Sequence, residues 1–192
     1  VTIADVSGKG IPAALFMGLC VTMLRFGMNL GLAPGEVMLH ANERLIADQR
    51  SRMFATAFVC YLDLDSGAVE FASAGHNPAL VYRVASRRVE ALNASGVALG
   101  VFEAAPYQPK SASLNPGDVL VLYTDGITEA INGDEEEFGD ARLRALIAEH
   151  ADLPAAALAD RVIEAVTRFA GDAAAFDDAT LAVIKRQPQD AG

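Results

Sequence analysis

Cationic side chains are scarce in this sequence of 192 residues. Fifteen lysine and arginine residues stand against 25 aspartate and glutamate residues, which gives a net charge of −10. Such a chain repels the phosphate backbone of nucleic acids, so we expect no nucleic-acid partner. The acidic surplus agrees with a cluster of carboxylates that binds divalent cations, although it does not require one.

Cysteine is rare as well, and no long apolar run is present. Cys20 and Cys60 each lie inside an apolar segment, which indicates buried thiols and a reducing, cytoplasmic setting rather than a disulfide or a metal pair. The longest apolar stretch, residues 11–24, has 14 residues and is shorter than the roughly 20 that a membrane span needs. We therefore expect a buried core helix there and no membrane span in this chain, and the absence of a basic leader predicts no signal peptide.

The 52% hydrophobic and 21% charged content favours one globular domain. Apolar periodicity predicts strands at residues 1–5, 54–64, 68–72, 79–84, 107–114, 119–123 and 179–185. It predicts four helices, the first with Pro12 in its first turn and Gly31 at its end, and the others at residues 34–49, 139–150 and 154–170. Tight turns between successive strands imply antiparallel sheets, so the class is α+β, with helix pairs on a β-sandwich.

Three acidic positions lie at the ends of predicted strands. Asp5 and Asp125 each end a strand, and Asp177 comes shortly before the last one. If the last strand runs opposite to the other two, all three carboxylates reach the same edge of a sheet. Carboxylates without nearby His or Cys pairs select Mg²⁺ or Mn²⁺, and two such ions can activate a water for hydrolysis. Each Asp-Gly turn taken alone would more often be structural.

Four segments in order resemble motifs of the SpoIIE/RsbU branch of metal-dependent (PPM, type 2C-like) Ser/Thr protein phosphatases. They are residues 5–14 (DVSGKGIPAA), 73–78 (SAGHNP), 123–129 (YTDGITE) and 177–180 (DDAT). The resemblance implies an αββα sandwich of two mainly antiparallel sheets flanked by helix pairs. It also implies two Mn²⁺ or Mg²⁺ ions and hydrolysis of phosphoserine or phosphothreonine on a partner protein, in this branch often an anti-sigma factor antagonist.

Residue roles follow from the resemblance by position. Asp5 would bridge the two metals, the Val6 carbonyl would bind one of them, and Asp125 and Asp177 would complete the other, with Asp178 less favoured than Asp177. Contacts to phosphate or substrate are expected from four further residues: Gly8, Lys9, Gly10 and His76. For His76 a structural role in its turn is the favoured alternative.

The sequence departs from the family pattern in two places. Lys9 stands where many members carry His, and it does not form a P-loop, because Ile3 occupies the position of the required glycine. The family's Gly-Gly-Asp-x-x-Asp segment, upstream of Asp5, is absent. Residues 1–192 are therefore expected to be a phosphatase domain without its N-terminal strand and an upstream sensor or receiver domain. The sheet edge left by that strand would be exposed or paired with a second copy in a homodimer.

Two other functions compete with the phosphatase hypothesis. A regulatory module of the same fold would bind its partner without turnover, and an empty site at millimolar Mn²⁺ would favour it. A nucleotidyl cyclase, which also uses carboxylates and metals, would need a purine pocket that no motif here identifies.

Overall fold

The computed structural model describes residues 1–47, 53–171 and 178–187. In chain order the elements are β1 (Thr2–Val6), α1 (Ile11–Asn29), α2 (Pro34–Ala47), β2 (Ala55–Leu62), β3 (Ala68–Ala74), β4 (Ala79–Arg83), β5 (Arg88–Leu92), β6 (Lys110–Ser113), β7 (Val119–Tyr123), α3 (Asp125–Thr128), α4 (Gly139–His150), α5 (Ala155–Ala170) and β8 (Leu181–Lys185). They form two units, one of Val1–Pro78 with Asn93–Ser113 and one of Ala79–Leu92 with Leu114–Gly192.

The first unit holds a four-stranded antiparallel sheet in the order β1-β2-β3-β6, with α1 and α2 packed on one face. Side chains alternate along β2, so Ala55, Ala57 and Val59 face the helices. They meet an apolar layer from the two helices: Phe16, Cys20, Leu24, Val37, Met38, Ala41 and Leu45. Strand β1 lies at an edge of this sheet, as expected from the sequence.

Helix α1 is buried on one face only, so the prediction of a buried core helix holds for that face and is wrong for the other. One face packs into the unit through Ala13, Phe16, Cys20 and Leu24, whereas Ile11 is 78% and Leu15 71% exposed. Among the described residues α1 is the one helix long and apolar enough to cross a membrane, and its most apolar stretch of 18 residues has a mean hydropathy of 1.7 and is 28% buried. A core helix of a folded domain passes the same test of length and composition, and the packing of its inner face is of that kind.

The second unit holds a four-stranded antiparallel sheet in the order β5-β4-β7-β8, with α4 and α5 on one face. Its core joins strand residues to both helices through Leu80, Val119, Val121, Leu143, Ile147, Leu158 and Val162. Strand β7 lies inside the sheet and is buried at all five positions, so both of its faces are covered. The continuous apolar run at residues 119–123 is the sequence signature of such a central strand.

The predicted α+β class, with two antiparallel sheets and a helix pair on each, is confirmed. Strand β5 and the short helix α3 were not predicted, and the strand expected at 107–114 is shorter, at Lys110–Ser113. The predicted end of the second helix at residues 48–49 lies outside the described residues. Cys20 and Cys60 are both buried thiols without a disulfide in the described chain, as predicted.

Candidate metal centre

Asp5 lies near the end of β1, directly opposite Thr56 on β2, and is half-buried. Ala4 and Val6 pack toward the helices, so Asp5 points to the other face of the sheet. The chain is fixed immediately after it, because the Ser7 amide donates to the Phe54 carbonyl at 2.9 Å and the Ser7 hydroxyl accepts from the Phe54 amide at 2.9 Å. The Asp5 carboxylate and the Val6 carbonyl are therefore carried on a well-anchored strand end.

The loop after β1 carries three of the predicted phosphate contacts. Gly8, Lys9 and Gly10 are all exposed, and both glycines have positive φ angles, 91° and 82°. A side chain at either position would strain the backbone, which explains two glycines in three residues. Gly10 is the N-cap residue of α1, and its carbonyl accepts from the Ala14 amide at 3.1 Å. This loop presents a lysine beside a helix N-terminus, a combination that favours anions.

His76 follows β3 and is only 8% exposed. Its Nδ1 lies 2.8 Å from the Thr56 hydroxyl, and its amide donates to the Ser73 hydroxyl at 3.2 Å. Two roles were considered for His76, contact with the substrate and a structural role in its turn, and these bonds support the structural one. Since Thr56 is also the partner of Asp5 across the two strands, the imidazole helps to order the same end of the sheet.

Asp125 follows β7 as the first residue of α3. Its Oδ1 atom is buried and has no hydrogen-bond partner within the described part of the chain. A buried carboxylate oxygen without a partner is costly, because its hydration is lost and not replaced. Oxygen is the donor that Mg²⁺ and Mn²⁺ prefer, so the carboxylate fits a divalent cation as its missing partner.

Residues 178–180, which precede β8, are held against Thr124, the residue before Asp125. The Thr124 amide donates to the Thr180 carbonyl at 3.0 Å, and the Thr124 hydroxyl donates to the Asp178 carbonyl at 3.0 Å. Gly126 allows the close approach, since a Cβ there would lie 2.6 Å from the Asp178 carbonyl oxygen. The antiparallel pairing of β7 and β8 thus places residues 178–180 beside Thr124 and Gly126.

The predicted single sheet edge for all three carboxylates is wrong. Asp5 belongs to the sheet β1-β2-β3-β6, whereas Asp125 follows a strand of the other sheet. Asp177 lies outside the described residues, and those residues contain no cluster of three or more His, Cys, Asp or Glu side chains suited to a metal. The set Asp5, Val6, Asp125 and Asp177 therefore stays a prediction.

The sequence did not predict the hydroxyl groups that bond near the ends of β3 and β7. Thr56 and Ser73 bond to His76, a candidate substrate contact, and Thr124 bonds to Asp178, which follows the candidate ligand Asp177. One signal was available for Thr124, which is a polar residue at the end of an otherwise apolar strand run. For Thr56 the partner depends on strand register, which the local pattern does not fix.

Comparison with known proteins gives consistent results. Residues 1–187 match the family model of Stage II sporulation protein E (SpoIIE). The phosphoserine phosphatase RsbU of Bacillus subtilis (strain 168) is 32% identical over 193 residues, which cover 97% of this chain and 55% of RsbU. The chain is thus similar to little more than half of that relative.

Solved structures agree in fold. The RsbU and RsbW domains of Rv1364c from Mycobacterium tuberculosis align with a TM-score of 0.80 at 28% identity, over 97% of this chain and 51% of that one. The catalytic domain of the serine/threonine phosphatase PstP, in complex with two manganese ions, aligns with a TM-score of 0.70 over 96% of this chain and 86% of that one. Its identity is 14%, so that likeness shows the fold alone. With its family match over residues 1–187, the chain belongs to the SpoIIE/RsbU branch of the PPM protein phosphatases.

Proposed function

We propose that this chain hydrolyses phosphoserine or phosphothreonine on a partner protein with the help of Mn²⁺ or Mg²⁺. Family membership makes protein phosphatase chemistry the leading function. The single observation that carries the metal dependence is the buried Oδ1 of Asp125, which has no hydrogen-bond partner among the described residues. A folded protein keeps such an atom where a ligand completes it.

Each candidate residue has a proposed role. Asp5 would be shared between two cations, the Val6 carbonyl would hold one of them, and Asp125 and Asp177 would hold the other. Such cations, when bound, offset the charge of phosphoryl oxygens and lower the pKa of a coordinated water. The exposed loop of Gly8, Lys9 and Gly10 orients the phosphate through the lysine charge and backbone amides.

The proposed substrate is a phosphorylated protein of bacterial signalling, and an anti-sigma factor antagonist is the specific partner that we propose. RsbU, a relative of this chain, is a phosphoserine phosphatase. Hydrolysis of a phosphoprotein in such a pathway would take place in the cytoplasm, and the buried thiols suit that reducing compartment. A homodimer, with β1 of one copy beside β1 of the other, is proposed for the edge of the first sheet.

Phosphate release from a phosphoserine protein, measured with and without Mn²⁺, tests the proposal. Activity should require the metal, and Asp5→Ala and Asp125→Ala should each lower it by at least about a hundredfold, since each removes a ligand. Asp134→Ala, in an exposed acidic loop, is the matched control and should keep full activity.

Full activity in both ligand variants would show that the site is assigned wrongly. The regulatory-module alternative makes a separate forecast, because it requires partner binding without phosphate release. Calorimetry with Mn²⁺ distinguishes the two: no heat of binding at millimolar metal favours the regulatory module.

A further inference from the structure

Thr124 stands where the chain changes from a strand to a helix, and it is 1% exposed. The ladder between β7 and β8 ends with Tyr123 opposite Leu181. If the ladder continued by one residue pair, Thr124 would lie opposite Thr180. One of the two hydrogen bonds of such a pair is present, since the Thr124 amide donates to the Thr180 carbonyl at 3.0 Å. The reciprocal bond of a regular ladder would run from the Thr180 amide to the Thr124 carbonyl.

That carbonyl is already used. It accepts from the Ile127 amide at 3.1 Å in the first turn of α3. The Thr180 amide donates instead to the Thr124 hydroxyl oxygen at 2.8 Å. The hydroxyl thus takes the place of the carbonyl in the ladder, and the carbonyl is left for the helix.

The same hydroxyl also reaches the acidic segment. Its hydrogen points to the Asp178 carbonyl, 3.0 Å away, while its oxygen accepts from Thr180. A threonine before a helix usually caps it by accepting from an amide of the first turn. Among the described residues the Thr124 side chain makes no such capping bond. An ordinary capping role therefore does not explain this threonine.

We infer that Thr124 is a positioning residue for the metal centre, holding residues 178–180 in register with Asp125 at the start of α3. This inference rests on the proposed function. Because the Thr124 hydroxyl bonds to the segment before β8, the Thr124 carbonyl is available to the first turn of α3. The chain can therefore change from β7 to α3 at one residue without losing its contact with that segment. Small shifts of this joint would move the Asp125 carboxylate relative to the segment that follows Asp177, and metal sites tolerate little displacement of their ligands.

Titration of the chain with Mn²⁺ by calorimetry tests the inference through Thr124→Val and Thr124→Ser. Valine keeps the shape but lacks the hydroxyl, so Mn²⁺ should bind about tenfold more weakly, in proportion to the lost buried hydrogen bonds. Serine restores the hydroxyl, and its Mn²⁺ affinity should stay within about threefold of the natural chain. Thr22→Val removes a hydroxyl bond on α1 and should leave Mn²⁺ binding unchanged.

Three outcomes would overturn the role of Thr124: unchanged Mn²⁺ affinity in a folded Thr124→Val chain, an equal loss in Thr124→Ser, or rapid hydrogen exchange of the Thr180 amide in the natural chain. The exchange measurement needs no variant and therefore holds even if Thr124→Val does not fold. A natural chain that binds no Mn²⁺ would instead overturn the proposed function and, with it, this inference. Failure of the proposed function can therefore be distinguished from failure of the role of Thr124.

Discussion

Two aspartates of the second unit have opposite surroundings. Asp118 is 1% exposed and its carboxylate is fully engaged, accepting from the Val84 amide, the Asn115 amide and Arg83 Nη1, each at 3.0 Å. Asp125 has a buried oxygen with no partner in the described chain. The first pattern is that of a carboxylate that stabilises the fold, and the second is that of one kept for a ligand.

Asp125→Asn should separate stability from metal binding. The substitution keeps the shape and removes the charge, so the metal-free chain should be as stable as the natural one or about 1 kcal/mol more stable. The rise in melting temperature that Mn²⁺ gives the natural chain should be lost. Thermal unfolding with and without Mn²⁺ measures both effects, with Asp134→Asn as the control of equal charge change. A clear loss of stability in the metal-free variant would contradict the inference that the buried Asp125 oxygen makes no stabilising bond in the absence of metal.

Asp118→Asn should have the opposite profile. The amide cannot replace both carboxylate oxygens, and the buried ion pair with Arg83 would be lost, so the free energy of unfolding should fall by about 2 kcal/mol. Urea unfolding measures the loss, while Mn²⁺ affinity should not change. Glu90→Gln breaks the more exposed of the two ion pairs and should cost less than about 1 kcal/mol. Equal losses in the two variants would be evidence against a special role for Asp118.

At the scale of elements, α3 packs closely against residue 178, shortly before β8 begins. An alanine Cβ at position 126 would lie 2.6 Å from the Asp178 carbonyl oxygen and 2.8 Å from its carbon, so backbone must move. Gly126→Ala should therefore destabilise the fold by roughly 1–3 kcal/mol and weaken Mn²⁺ binding. Urea unfolding and calorimetry measure these effects.

Gly133→Ala is the matched control in the same unit. No described atom lies within 4 Å of the Cβ it would add, so stability should change by less than about 0.5 kcal/mol. If Gly126→Ala behaved like Gly133→Ala, the close packing of α3 on residue 178 would be refuted.

Most elements could be predicted because their own residues carry the signal. The apolar run of β7 and the helical spacing of α4 gave bounds that agree with the structure at 119–123 and 139–150. Strand β5 was missed although Val89 and Ala91 alternate with Arg88 and Glu90, because one arginine and one glutamate in five residues weaken the apolar signal. Helix α3 has four residues, too few to show a helical period.

The site was predictable only in part, for a topological reason. Strand ends with Asp and Gly are visible in the sequence, whereas the antiparallel direction of β8 against β7 was only a condition of the prediction, which the structure meets. Which sheet each strand joins depends on distant pairing, so the placement of Asp5 in the same sheet as Asp125 was wrong. The bonds of Thr124 depend on a strand-to-helix change that no local pattern shows.

At the scale of the whole molecule, ionisable groups are buried in both units. Burial raises the pKa of Cys20 from 9.0 and that of Tyr107 from 10.0, in each case to about 12, in the first unit. In the second unit, burial and the nearby Asp140 raise the pKa of Tyr123 to about 12. Each group keeps its proton in the folded chain at a pH where the unfolded chain has lost it.

Stability should therefore fall as the pH rises from about 9 to about 12. In this range the folded state binds more protons than the unfolded state, so each group lowers the free energy of unfolding by up to about 1.4 kcal/mol per pH unit. Repulsion within a chain of net charge −10 acts in the same direction. Thermal unfolding between pH 8 and pH 11.5 measures the decline, and a melting temperature that stays level above pH 10 would contradict it.

Tyr107→Phe should reduce this alkaline loss and also stabilise the chain at pH 8. The Tyr107 hydroxyl is buried and has no hydrogen-bond partner in the described residues, so its removal should add about 0.5–1 kcal/mol. Tyr61→Phe is the matched control, because the Tyr61 hydroxyl donates to the Leu32 carbonyl at 2.8 Å and its removal should cost about 1 kcal/mol. The same chemical change is thus expected to have opposite signs at two positions of one unit. Destabilisation in both variants would mean that Tyr107 has a partner, and that the first unit holds its hydroxyl for a structural reason.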